Sequence, residues 1–408
     1  TERGKIPRRS CYPLAVASVL LMNVLVVSSR FPWPPYSGDR MRASIWLEAL
    51  APHARVALVA PPGEVPPHAP PIRFFPAAAS FTRQLSGAIT VLRRGLPLQS
   101  LLAAPYAWGD AISAARRELG PFDTTVVVLS RSDPWVRPSL GSGTRILDSV
   151  DSLRRNAEER GHASSLLMRP FWRHEERRLA RAERDAGEAY DHVVVVNEDE
   201  ACEFGEAGMA IANSVPIAPY DAAAPRRFDF GFWGRLPYFA NADAARRLLE
   251  EIVPAIRALH PDATFILGGA DVPRSTRAAA ERAGIELRSP IPHVPSFARE
   301  IRVAIIPMRY GSGQSSKLLE AAEAGCAVVT TPEALRGLPR LAPHAAVAAD
   351  SAAIAANAVA LLHDQARREA MQNALRRTVE QYHSRATVHA QMAALAGVVR
   401  SGTAAASA

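Results

Sequence analysis

Residues 303–331 read VAIIPMRYGSGQSSKLLEAAEAGCAVVTT. Val303, Ala304, Ile305 and Ile306 form a short apolar run closed by Pro307, the pattern of a buried parallel strand. Gly311 and Gly313 break the chain, Ser315 or Ser316 caps a helix continued by residues 317–324, and Gly325 stops it. Ala327, Val328 and Val329 open the next strand. The unit is therefore βαβ and the chain is α/β. Residues 311–316 are small or polar and lie at a helix N-terminus, where unpaired N–H groups and the helix dipole favour an anion. Lys317 adds a positive charge one turn in, and Glu320 follows on nearly the same face. A carboxylate beside a diphosphate repels it, but one that reaches past the phosphates accepts hydrogen bonds from sugar hydroxyls. The combination suggests a nucleoside diphosphate with its ribose alongside. The same residues also fit an ordinary capped helix with a solvated Lys–Glu pair.

The wording MRYGSGQSSKLLEAAEAGCAVVTT resembles the donor-site segment of family 4 glycosyltransferases, retaining enzymes of the GT-B fold. It is similar to the branch that reads P-L-R-x-G-S-G-x-x-x-K-x-L-E-A. The resemblance implies that Lys317 neutralises the donor diphosphate and Glu320 binds the nucleotide ribose. Gly311, Ser312, Gly313, Gln314, Ser315 and Ser316 then line the donor. Many family members carry a further glutamate that touches the donor sugar, eight residues before the second; here that position is Ser312.

The 408 residues suit two domains of about 200 each. With 48% apolar and 22% charged residues the chain is globular, which excludes a disordered or fibrous class. A net charge of +8 favours anionic partners in general, although abundant arginine and alanine fit a GC-rich genome as well. Cys11, Cys202 and Cys326 are odd in number and widely spaced, so they offer neither a metal pattern nor a disulfide framework and fit a reducing cytoplasm. Lys5, Arg8 and Arg9 precede an apolar stretch over residues 12–21, which has the look of a signal or anchor. A spanning helix needs about 20 apolar residues. That length is reached only by absorbing residues 24–27, which read as a first strand. Residues 1–21 are therefore expected to be an N-terminal extension with little part in the fold.

Residues 22–62, MNVLVVSSRFPWPPYSGDRMRASIWLEALAPHARVALVAPP, carry the second strong signal. A strand at 24–27 leads to a proline-rich loop over 30–38, then a helix at 42–50 that buries Ile45, Leu47 and Leu50, then a strand at 56–59. Ligands of such domains bind at the carboxyl edge of the sheet, where this loop lies. Gly38, Asp39 and Arg40 offer backbone N–H groups and a guanidinium there. The loop is similar to the N-terminal loop of the same family, which reads K-G-D-R-I-R in bacterial sugar transferases. In those enzymes the glycine lets the loop lie against the donor phosphate and the acceptor.

Residues 61–122 say little; in the family such regions shape the acceptor site. Strands are expected at 125–129 and 145–147, the second ending at Asp148 and Asp151. Family members often place a histidine near the reacting carbon at this strand's end, and here Val150 stands in its place. Asp148 or Asp151 can bind a sugar or acceptor hydroxyl or act as a base, and Asp151 is the candidate catalytic group. Either can equally cap the next helix. Residues 152–190 read as helical, with Glu175, Glu176 and Glu183 among Arg177, Arg178, Arg181 and Arg184. That mixture describes a solvated helix with i,i+4 pairs and excludes a nucleic-acid face. His174 and His192 are isolated and make no metal site.

Residues 214–228 read as a linker between an N-terminal Rossmann-like acceptor domain (22–213) and a C-terminal donor domain (229–383). Residues 384–400 resemble the family's crossover helix, and 401–408 read as a disordered tail. In the second domain a strand at 230–233 precedes Gly234 and Arg235, which resemble the family's G-R pair. Its arginine joins the lysine at the donor phosphates, a task suited to a guanidinium fork. Asn241 is expected to start the next helix. Arg309 is a further donor candidate. SPIPHVPSF at 289–297 resembles the family segment that cups the base, which implies that His293 and Val294 take the base side of the donor.

These signals imply a GT-B fold: two Rossmann-like doubly wound domains facing across a cleft, with a C-terminal helix crossing back. The implied activity is retaining, metal-independent transfer of a hexosyl group from a nucleoside-diphosphate sugar, which is a co-substrate, so no cofactor is expected. The acceptor would be a hydroxyl or amine of a glycan, a lipid-linked molecule or a small natural product. A cytoplasmic location with peripheral contact at the inner membrane face is compatible with the charge. Two alternatives use the same fold. A catalytically silent GT-B subunit that binds a partner or glycan fits Ser312 and the missing histidine. A nucleotide-sugar epimerase would need more carboxylates and histidines for proton work.

Overall fold

The computed structural model describes residues 21–399 apart from Tyr36, Tyr220, Ala222, Ala223 and Ser312. Residues 1–20 of the expected 1–21 extension, Arg400 of the crossover stretch and the tail from 401 lie outside the described residues, as does Ser312.

The first sheet contains β1 (Asn23–Ser28), β2 (Arg55–Ala60), β3 (Arg73–Pro76), β4 (Thr124–Val128), β5 (Thr144–Val150), β6 (His192–Val195) and β7 (Gly208–Ala210). Its order is β3-β2-β1-β4-β5-β6-β7, and its paired strands run parallel. The second sheet contains β8 (Phe228–Arg235), β9 (Phe265–Ala270), β10 (Glu286–Arg288), β11 (Ile301–Ile306), β12 (Ala327–Thr330) and β13 (Ala346–Val347). It is ordered β10-β9-β8-β11-β12-β13 and is also parallel. Both sheets reverse their winding once, between β1 and β4 in the first and between β8 and β11 in the second. Ligands of open α/β sheets bind at that switch point, outside the carboxyl ends of the strands. The two glycine-bearing loops singled out above leave β1 and β11, so each sits at a switch point.

Strand β1 shows why its apolar run is unbroken. Val24 and Val26 enter a core shared with helix Gly38–Leu50, while Leu25 and Val27 enter a second core with helix Trp108–Leu119. Burial on both faces leaves no position for a polar residue, and each such side chain contributes about 1.5–3 kcal/mol. The last helix, Arg385–Leu395, lays Val388 and Met392 into the first of these cores. Thr124 Oγ1 donates to the Ala396 carbonyl over 3.0 Å, and Arg385 pairs with Glu48 at 3.0 Å. The chain therefore crosses back onto the first domain. Beside it the Val215 N–H donates to the His383 carbonyl at 2.9 Å, which lays the incoming and outgoing crossings side by side. No described helix is long and apolar enough to cross a membrane.

Three local expectations change. Gly234 and Arg235 belong to β8 rather than to the loop after it. The following helix starts at Phe239, and Asn241, within its first turn, turns its Nδ2 back onto the Arg235 carbonyl at 2.9 Å. The stretch 152–190 is two helices, Leu153–Ala163 and Arg169–Ala189, and its acids are not all solvated. Glu175 and Glu183 are buried. Glu183 accepts hydrogen bonds from Ser152 Oγ and from the Arg154 N–H at 3.0 Å, so it closes the N-terminus of helix Leu153–Ala163.

Burial pushes the Glu183 carboxyl up to about 7, against an ordinary 4.5, with its hydrogen bonds to Arg154 and Ser152 opposing. The folded state therefore holds this proton after the unfolded chain has released it. The resulting stability is fully present below pH 4.5 and is lost as pH rises to about 7. Melting temperatures of wild type and Glu183→Gln across that range should show the wild type losing ground steadily up to about pH 7 and none beyond it. Parallel profiles would mean that Glu183 does not titrate in this window.

Candidate active site

The second switch point brings Gly234, near the end of β8, against Lys317 on helix Ser316–Glu323, which follows β11; Arg235 is the last residue of β8. A Cβ at position 234 would stand 2.8 Å from Lys317 Cε and 3.0 Å from Asn241 Nδ2, so only glycine admits the lysine stem there. Lys317 is half-buried, and its Nζ lies 5.9 Å from the centre of the Phe232 ring. Burial lowers its pKa below the ordinary lysine value, with Glu320 acting the other way. Burial likewise raises the Glu320 carboxyl, opposed by a hydrogen bond from Trp233 Nε1 at 2.6 Å and by Lys317. Ser315 is the N-cap residue, yet its hydroxyl is buried and has no hydrogen-bond partner among the described residues. Arg235 is mostly exposed, with Nε 3.8 Å from Asp271 Oδ2. The switch point thus holds two cations, an orphaned hydroxyl and an indole-braced carboxylate.

The donor loop differs from expectation. The Gly311 N–H donates to Glu159 Oε2 at 2.9 Å and the Gly313 N–H to Glu200 Oε1 at 2.7 Å. Both carboxylates come from the first domain, so two of the expected anion donors already hold an anionic oxygen. Glu159 also accepts from Arg336 at 2.8 Å, and burial raises its pKa. Glu200 uses its other oxygen for the Ser152 N–H at 2.7 Å. The Gln314 amide bridges the Gly337 carbonyl at 2.6 Å and the Asn213 N–H at 2.8 Å. Arg309 makes a two-point pair with Asp243 at 2.8 and 2.6 Å, which orients it onto the helix Phe239–Arg247. Ser316 is exposed. His293 caps the short helix Val294–Ala298, its Nδ1 facing Ser296 Oγ at 2.8 Å, and Val294 is that helix's first residue.

The first switch point supplies the facing wall. Gly38 opens helix Gly38–Leu50, and a Cβ there would meet nothing within 4 Å. Asp39 accepts from the Arg40 N–H at 3.0 Å, receives the Ser37 hydroxyl, and lies 3.2 Å from Arg30 Nε. Arg131, just beyond β4, stands 3.9 Å from Asp39. Its Nε is buried without a hydrogen-bond partner among the described residues, and burial and Arg30 lower its pKa while Asp39 and Asp151 oppose. No motif marked Arg131; the only signal was its place after a buried strand.

Asp148 is not available to a substrate. Both it and Arg42 are fully buried, and it accepts from Arg42 Nε at 2.6 Å, Trp46 Nε1 at 2.5 Å and the Val150 N–H at 3.0 Å. Val150 has φ 69°, a left-handed conformation that costs a β-branched residue on the order of 1–3 kcal/mol. This turn carries Asp151 into the cleft: a Cβ on Gly313, itself at φ 70°, would stand 3.2 Å from Asp151 Cβ. The ends of β5 and β11 therefore meet at Asp151 and Gly313. Among the described residues no group of three or more His, Cys, Asp or Glu is placed to hold a metal ion.

Residues 227–364 match the sequence model of the glycosyl transferases group 1 family. No curated protein sequence matches the chain. Among solved structures, sucrose-phosphate synthase from Thermosynechococcus elongatus superposes with a TM-score of 0.68 at 16% identity, over 92% of this chain and 98% of that one. HepE of Anabaena, in complex with UDP and glucose, gives 0.65 at 13% identity, over 93% of this chain and all of its own. WaaG, a glycosyltransferase involved in lipopolysaccharide biosynthesis, gives 0.62 at 14% identity over 92% of this chain.

Proposed function

We propose, starting from a chain that carries a group 1 glycosyltransferase domain at residues 227–364 on a GT-B fold, that it is a retaining, metal-independent hexosyltransferase using a nucleoside-diphosphate sugar. The observation that carries this reading is the half-buried Lys317, its stem seated against Gly234 at the second switch point. When the glycosidic bond breaks, negative charge builds on the leaving diphosphate. Lys317 would stabilise it as a half-buried cation, and the mostly exposed Arg235 would add a second positive charge. Ser315 Oγ, which has no partner among the described residues, is available to a phosphate oxygen. Glu320, held by Trp233, would accept from the ribose hydroxyls. Asp151, carried on the Val150 turn, is the group we assign to the sugar or acceptor hydroxyl. HepE is complexed with UDP-glucose, which makes UDP-sugars the first donors to try.

A silent GT-B subunit is the second reading, favoured by one observation: Glu159 and Glu200 occupy the Gly311 and Gly313 N–H groups. Incubation with a panel of nucleotide sugars separates the two. A transferase should release free nucleotide at least slowly by hydrolysis, and the freed sugar should first appear with the anomeric configuration of the donor by NMR. An inverted product would overturn the retaining assignment, and no release from any donor would favour the silent subunit.

A further inference from the structure

Two polar groups at the first switch point lack hydrogen-bond partners among the described residues. The first is on Arg131, which follows β4 and whose side chain is only 15% exposed. Its Nε is buried and donates to no described residue, and its Nη2 stands 3.9 Å from Asp39 Oδ2, beyond hydrogen-bond reach. Asp39 is already engaged. One carboxylate oxygen takes the Ser37 hydroxyl and the Arg40 N–H, and the other lies 3.2 Å from Arg30 Nε. Two guanidiniums therefore share one carboxylate. A nearly buried charge so loosely compensated is costly. Burial and the Arg30 charge lower the Arg131 pKa, while Asp39 and Asp151 act the other way, so its surroundings disfavour the positive charge. The second group is on the neighbouring strand. Ser29 is 5% exposed, and its hydroxyl has no hydrogen-bond partner among the described residues. Strands β1 and β4 pair Ser28 with Val128, so Ser29 leaves the sheet level with Leu129, two residues before Arg131.

We infer that Arg131 and Ser29, with the half-exposed Arg30 at the rim, form a subsite for an anionic group, a carboxylate or a phosphate, carried by the acceptor. Both unsatisfied groups can donate hydrogen bonds, which is what an anionic oxygen accepts, and a guanidinium grips a carboxylate or phosphate at two points. The position suits an acceptor. β1 and β4 both end at the carboxyl edge of the sheet, where ligands of such domains bind. Asp151, the group assigned to the sugar or acceptor hydroxyl, is near enough to act on the Arg131 charge. An acid bound by Arg131 would hold the acceptor beside that carboxylate. The donor diphosphate has its own cation, Lys317, at the other switch point. The acceptor role rests on the transferase reading, whereas the anion site does not.

Glucuronate and glucose 6-phosphate are compared with glucose as ligands of the full-length protein, with saturating UDP and at constant ionic strength, by the rise in melting temperature. The wild type should respond to both acidic sugars at concentrations at least about tenfold lower than to glucose. Arg131→Gln should keep the wild-type circular dichroism and UDP affinity and lose the preference for acidic sugars. Arg131→Lys, which keeps the charge but not the fork, should retain part of it. A wild type with no preference would overturn the inference, as would a preference that survives Arg131→Gln. If Arg131→Gln instead loses UDP affinity, the anion belongs to the donor diphosphate and the acceptor role falls. A wild type that binds no nucleoside diphosphate would sink the transferase reading and the acceptor role with it. An acidic-sugar preference still abolished by Arg131→Gln would then leave the anion site standing.

Discussion

Lys317→Ala is expected to lower kcat/KM for the nucleotide-sugar donor by roughly 10²–10³-fold, the loss seen when one pre-aimed donor to a developing charge is removed. Stability should change little. The ammonium is partly desolvated, and burial already weighs against its charge, so the fold gains little from holding it. Lys317→Met keeps most of the stem that lies against Gly234 and should lose activity equally, which assigns the effect to the charge. The pH dependence gives an independent check. Because burial lowers the Lys317 pKa, the ammonium loses its proton at a lower pH than an ordinary lysine. In wild type the alkaline fall of kcat/KM should begin correspondingly early, and in Lys317→Met that limb should vanish. A variant retaining wild-type kcat/KM would remove Lys317 from the site.

Asp148→Ala is expected to cost about 3–5 kcal/mol of stability, the penalty for removing one partner of a fully buried ion pair. Arg42 would be left uncompensated under helix Gly38–Leu50, with only the Ile211 and Ala212 carbonyls, each at 2.9 Å. Trp46 Nε1 and the Val150 N–H would lose their acceptor as well. Urea unfolding followed by circular dichroism measures the loss, and little soluble protein is the expected outcome at higher temperature. The contrast with Asp151→Asn is informative. That substitution leaves the Arg42–Asp148 pair intact and should fold as wild type while turnover falls. A stable Asp148→Ala protein that had lost only turnover would mean that Asp148 is a substrate ligand and not a buried strut.

The fold was legible where burial dictates composition. The runs around Val24 and Val303 had to be apolar because their strands are covered on both faces, and Pro307, Gly311 and Gly325 punctuate the unit that follows Val303. The loops at Gly38 and Gly311 were legible as motifs, and the switch points later showed why they lie where they do. What escaped was pairing across distance. Arg42 drew no notice, because nothing local says that it will meet Asp148, 106 positions away. Glu159 and Glu200 carried no signal of their own, yet they hold the donor loop. Gln314, a donor candidate through the motif, and Arg309 meet partners on other elements that no local pattern announces. The exposed stripe at Phe81, Leu85, Ile89 and Leu92 of helix Phe81–Arg94 shows the matching limit: periodicity reports that a helix has an apolar face, not whether protein covers it.

The most direct test of the nucleotide-sugar assignment is calorimetric titration of UDP, and then of other nucleoside diphosphates, into the wild type and Lys317→Met. One nucleoside diphosphate should bind the wild type and bind the variant at least about tenfold more weakly, as expected when a charge-assisted contact is lost. If no nucleoside diphosphate binds the wild type, or if the variant binds it equally well, the switch point where Lys317 lies against Gly234 is not a donor-diphosphate site.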